Sequence, residues 1–132
     1  MPIEINQNVV FDYLYLDDFL QIMEHVIECE CVYPEFNITP TESIDLVHIA
    51  ELINDCGCYQ SEIIVKNPGR NYQYTGDNTR LLANMGADFA FTSYREGIER
   101  LYRYYEAHRN ELDLEAVRSD ELSKLCKTNT GA

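Results

Sequence analysis

Hydrophobic and polar positions alternate between two periods along this chain. Ile3 and Ile5 are separated by polar residues, the two-residue period of a strand. Residues 9–16, Val-Val-Phe-Asp-Tyr-Leu-Tyr-Leu, are rich in β-formers and predict extended backbone. Asp17 or Asp18 then stands where a helix cap is wanted, and Phe19, Ile22, Met23, Val26 and Ile27 follow at helical spacing. Residues 32–38 predict a short strand that stops at Thr39-Pro40. Asp45 caps a second helical pattern of Leu46, Ile49, Ala50, Leu52 and Ile53, with Gly57 past its end. Residues 62–66 predict another strand, and the Pro and Gly of Asn67-Pro68-Gly69-Arg70-Asn71 predict a loop. Asp77 or Asn78 opens a short helix through Leu81, Leu82 and Met85, closed by Gly86. Ser93 and Glu96 have the spacing of a capping box before Ile98, Leu101, Tyr102 and Tyr105. The order predicts a mixed α/β (α+β) domain over residues 1–112, then a charged helix and polar tail over 113–132.

Composition narrows the class. Hydrophobic residues make up 45% and charged residues 25%, the balance of a globular domain with a core. No apolar run reaches the ~20 residues of a membrane span, and the first residues lack the basic and apolar regions of a secretory signal, which makes the cytoplasm the expected compartment. The formal charge is −13, unevenly spread: the first 65 residues hold thirteen Asp and Glu and no Lys or Arg, and all 10 basic residues lie from Lys66 onward. Such a surface repels nucleic acid and anionic membranes. The five cysteines include two C-x-C pairs, Cys29/Cys31 and Cys56/Cys58, with Cys126 left over. An odd count without a signal argues for free thiols over disulfides, and zinc sites space their thiolates more widely, so no metal site is assigned.

Three segments, in order, resemble the C-terminal region of the extended short-chain dehydrogenases/reductases, the NAD-dependent epimerases and dehydratases of sugar nucleotides. The first is Phe11-Asp12-Tyr13-Leu14-Tyr15-Leu16-Asp17-Asp18-Phe19. The second is Phe36-Asn37-Ile38-Thr39-Pro40 with Glu42-Ser43-Ile44, Leu46 and Ala50-Glu51-Leu52-Ile53. The third is Asn67-Pro68-Gly69-Arg70, Tyr74-Thr75-Gly76-Asp77-Asn78-Thr79-Arg80-Leu81, Gly86, Thr92 and Glu96-Gly97-Ile98. Together they cover residues 8–106. The resemblance implies a small substrate-binding domain that packs on a dinucleotide-binding Rossmann half and closes over a nucleotide-sugar. It implies NAD(P) for the full-length enzyme and no cofactor in this chain, because the glycine fingerprint Gly-x-x-Gly-x-x-Gly is absent. The catalytic Tyr-x-x-x-Lys is absent too: Glu62, Asp120 and Ser123 stand four residues before Lys66, Lys124 and Lys127, so no catalytic residue is assigned. The family's basic residue before Asp12 is Phe11 here.

A nucleotide-sugar is anionic, and guanidinium groups match phosphate with paired donors. Arg70 after Pro68-Gly69, Tyr74, Arg80 and Lys66 are therefore the candidate substrate-binding residues. The expected partners are a nucleotide-sugar and the Rossmann half or a second copy, met through the aromatics of residues 11–19 and the tyrosines near Tyr102. Two other functions fit the sequence: an independent binding or regulatory module, and a truncated fragment without a role of its own.

Overall fold

The computed structural model describes residues 1–119, which form a mixed α/β fold of two small sheets and five helices. Strand β1 (Ile3–Asn8) pairs in parallel with β4 (Ile63–Arg70), so the chain between them must cross over. Helix α2 (Leu46–Cys56) lies on that crossover and packs against β1 and against α4 (Tyr94–Ala107). A second ribbon joins β2 (Val10–Phe11) to β3 (Ile44–Asp45) in antiparallel register, Phe11 opposite Ile44. Helix α1 (Leu16–Glu28) follows β2, α3 (Thr79–Met85) precedes α4, and α5 (Leu114–Ser119) closes the described part after one 3₁₀ turn, Arg109–Glu111. The predicted continuation of this last helix and the polar tail lie outside the described residues. Ile5, Val9, Ile22, Ile44, Ala50, Leu52 and Leu81 form the core, with Ile22 and Leu81 fully enclosed.

Several expectations hold in detail. Asp45 caps α2, its carboxylate accepting from the His48 N–H at 2.9 Å. Ser93 caps α4 by accepting from the Glu96 N–H at 3.3 Å. Gly86 ends α3 at φ 85°, left-handed backbone that favours glycine.

Others are corrected. Residues 32–38 form no strand; the Asn84 side chain instead holds Tyr33 through both its backbone N–H and C=O. Residues 67–70 are not a loop but the end of β4. Pro68 survives there because the register slips: Gln7 faces Asn67, and Asn8 faces Arg70, leaving Pro68 and Gly69 (φ 79°) as an outward bulge. The Gln7 side-chain amide donates to the Pro68 carbonyl at 3.1 Å, and Asn67 donates to the Asn6 carbonyl at 2.9 Å, which fixes the bulge. The extended run predicted for residues 9–16 shrinks to the two residues of β2, and the N-cap of α1 is Tyr15, with no side-chain cap bond. Asp17 and Asp18 fall in the first turn instead. Asp18 is buried, one helical turn before Ile22, and its carboxylate accepts from the Thr92 N–H at 2.9 Å and the Thr92 hydroxyl at 2.7 Å.

Candidate functional site

A stretch from each of the three segments read from the sequence, residues 11–13, 36–39 and 74–77, meets in one cleft. Strand β2 delivers Phe11, Asp12 and Tyr13 between β3 on one side and residue 74 on the other, where the Tyr74 N–H donates to the Val10 carbonyl at 3.3 Å. Asp12 sits at the junction. Its carboxylate accepts from Thr39 Oγ1 at 2.8 Å, Ser43 Oγ at 2.5 Å and the Gly76 N–H at 2.7 Å. Burial pushes this carboxyl up, but the donors from Ser43, Gly76 and Thr39 together outweigh it and hold Asp12 below the usual carboxylate range. Asn78, buried, donates to the Thr39 carbonyl and Thr41 hydroxyl, each at 3.0 Å, and Asn37 donates to the Asp77 carbonyl at 3.0 Å. Gly76 suits this seam, where a Cβ would stand 3.1 Å from the Thr39 methyl, a tight contact.

This stitching shapes a cleft of about 780 Å³ lined by Phe11, Asp12, Tyr13, residues 36–39 and residues 74–77. A smaller hollow of about 420 Å³, lined by Glu35, Phe36, Asn37, Asp77 and Arg80, adjoins it across Phe36, Asn37 and Asp77. The wall is aromatic: Phe11 and Tyr13 meet edge to face at 5.7 Å, with Phe36 and the exposed ring of Tyr74 beside the same space. Asp77 accepts from the Thr79 hydroxyl at 2.6 Å and the Thr79 N–H at 2.8 Å, which with Arg80 nearby keep it below the usual carboxylate range.

Of the four candidate residues, the structure brings two to this cleft. Tyr74 lines the larger hollow and Arg80 the smaller, the latter with its guanidinium 5.6 Å from the Tyr33 ring and 3.4 Å from the Glu35 carbonyl. Lys66 pairs with Glu4 on β1 at 2.6 Å, and Arg70, largely exposed, stands 4.0 Å from Asp45; neither belongs to the cleft lining. Asp12, Phe36 and Asn37 carry more of the site than the sequence reading gave them. The available signal was their position inside the resembling segments, where the search for positive charge passed over them.

A second, apolar cavity of about 330 Å³ lies between the start of α1 and α4, among Leu14, Ile49, Ile98, Leu101 and three tyrosines. Tyr94 closes it, donating to the Glu42 carbonyl at 2.5 Å, and burial, with Asp12 near, pushes its hydroxyl up to about 12. Cys29, Cys31, Cys56 and Cys58 carry free thiols, and among the described residues no three His, Cys, Asp or Glu side chains gather as a metal would require; Cys126 lies outside them. No helix among them is long and apolar enough to cross a membrane.

The dinucleotide cradle of a Rossmann fold does not fit these residues. That cradle runs from a strand through a glycine-rich turn into a helix. Here β1 leads into β2, and the two positive-φ glycines, Gly69 and Gly86, end a strand and a helix.

The fold is that of the C-terminal part of an NAD-dependent epimerase. Among solved structures, the UDP-glucuronic acid 4-epimerase from Bacillus cereus in complex with NAD superposes with a TM-score of 0.59 at 16% sequence identity, over 80% of this chain and 34% of that one. The chain thus spans about a third of that epimerase's length, and the likeness is one of fold. No protein-family model matches the sequence, and no curated protein is significantly similar to it.

Proposed function

We propose that this chain is the nucleotide-sugar-binding part of an NAD(P)-dependent sugar-nucleotide epimerase, dehydratase or reductase, inactive on its own and working in the cytoplasm. It supplies the substrate-facing wall; hydride chemistry belongs to a dinucleotide-binding half. One observation carries the reading: a stretch from each of the three segments that resemble the family, residues 11–13, 36–39 and 74–77, lines a single cleft held together by Asp12. The fold likeness to an epimerase supports it. Tyr74 and Arg80 are the contacts proposed first, since both border the cleft; Arg70 and Lys66 are outer basic residues already facing acids. The partner face is the apolar side of α1, where Leu16, Leu20 and Ile27 are exposed. The Rossmann half, or a second copy, covers it.

Calorimetric titration of the 132-residue chain with UDP-, GDP-, TDP- and CDP-sugars tests this. The proposal predicts binding of at least one, at about millimolar strength without the other half, equivalent to roughly −4 kcal/mol. Arg80→Ala should weaken it by the ~1.5–3 kcal/mol of a charge-assisted hydrogen bond. Absence of binding by all four, or binding indifferent to both Arg80→Ala and Tyr74→Ala, overturns the reading.

A further inference from the structure

The aromatic and charged residues of the cleft divide the work of recognition unequally. Four rings, Phe11, Tyr13, Phe36 and Tyr74, border the larger hollow. Such rings bind a flat heterocycle by stacking, whichever base it is. The charged lining is three carboxylates, Asp12, Glu35 and Asp77, against one guanidinium, Arg80. Asp12 accepts three hydrogen bonds and Asp77 two, so these carboxylates are fixed in the ionised form at neutral pH and stay where they are. Lys66 is committed to Glu4, and Arg70 lies by Asp45 outside the lining. One phosphate can face Arg80 across the shared wall of Phe36, Asn37 and Asp77. Among the described residues of the lining a second has no cation left to meet and carboxylates close by, and like charges repel.

We infer that the cleft recognises a nucleoside monophosphate unit, its base stacked among Phe11, Tyr13, Phe36 and Tyr74 and its single phosphate on Arg80, and that a second phosphate gains nothing from the described residues. The inference rests on the nucleotide-sugar reading above and sharpens it: the grip on the second phosphate comes from outside the described residues.

The test titrates the full chain at low salt with uridine, thymidine, cytidine, adenosine and guanosine, then with the mono- and diphosphate of whichever binds, following amide chemical shifts. Affinity should rise about tenfold from nucleoside to monophosphate, the worth of one charge-assisted contact. From monophosphate to diphosphate it should change by less than about fivefold, the most a solvent-exposed ion pair supplies. Arg80→Ala should erase the first step, and Tyr74→Ala should weaken all binders by about tenfold through lost stacking. Tyr74 is exposed, so its replacement spares the fold, and Tyr74→Phe should restore binding. A diphosphate at least about tenfold tighter than its monophosphate would overturn this inference and leave the nucleotide-sugar reading standing. Failure of every nucleoside and nucleotide to bind overturns both.

Discussion

At the scale of single residues, Asp12 organises the site without offering reactivity of its own. Three donors from separate parts of the chain end on its carboxylate, so removing it frees residues 39–43 and 76 together. Asp12→Ala should cost about 2 kcal/mol in urea unfolding, the lower range for hydrogen bonds to a charged group because the site is partly solvated. Asp12→Asn, which keeps an acceptor oxygen, should cost roughly half of that. The pH dependence has a definite sign. Because the folded carboxyl lies below its ordinary value of 3.8, its stabilisation is complete above that value and is lost as pH falls through the lower, folded value. The difference between wild type and Asp12→Asn should therefore be flat from neutral pH down to mild acid and should shrink in stronger acid. A gap that widened on acidification would contradict the assignment. Asp18 shows the same economy of role: adjacent acids suggest capping, but the helical turn to Ile22 points Asp18 inward to Thr92.

At the scale of elements, α2 packs against α4 and against β1. Gly57 ends α2 with ordinary extended backbone (φ −113°), so its glycine is not there for a left-handed turn. It is there for room: a Cβ at position 57 would fall on the Tyr102 hydroxyl of α4. Gly57→Ala should cost about 1–2 kcal/mol by overpacking, and much of that should vanish in the Tyr102→Phe background, a coupling measurable by a double-mutant cycle. Equal costs in both backgrounds would refute the contact. Helices were the most legible part of the sequence where they carry their own start or stop: Asp45, Ser93 and Gly86 act as read, and α1, without a side-chain cap, does not. Strands were less legible because pairing decides them. Pro68-Gly69 reads as a loop on any local rule, and only the slipped register against Gln7 and Asn8 keeps it in β4. Residues 32–38 have strand-like composition but find no partner strand, and Asn84, distant in sequence, takes both backbone hydrogen bonds of Tyr33. The cleft lining was legible in part: charge and resemblance name Tyr74 and Arg80, which border it, and Lys66 and Arg70, which do not, whereas Asp12 was hidden because it accepts hydrogen bonds from residues up to 64 positions away.

At the scale of the whole molecule, exposed apolar side chains gather on α1 and α4. Leu16, Leu20 and Ile27 leave an apolar stripe on α1, and Leu101, Tyr104 and Tyr105 are exposed on α4, to which α1 is tied by the Asp17–Arg100 contact at 3.8 Å. Patches of this kind draw partners. Sedimentation of the chain alone should show concentration-dependent association, and Leu20→Glu with Ile27→Glu should return it to a monomer; a clean wild-type monomer at high concentration would count against that face. The described residues offer no glycine-rich turn into a helix, so NADH fluorescence should show no saturable enhancement with this chain, and micromolar saturation would contradict the division of labour proposed here. The most direct test of that proposal is amide chemical-shift mapping on the labelled chain during titration with UDP-glucuronic acid and the GDP-, TDP- and CDP-sugars. The account predicts that shifts from whichever nucleotide-sugar binds gather on residues 11–13, 36–39 and 74–80. Shifts gathered elsewhere, on the acidic outer face of α1 or α2 for example, or none from any of the four, would contradict it.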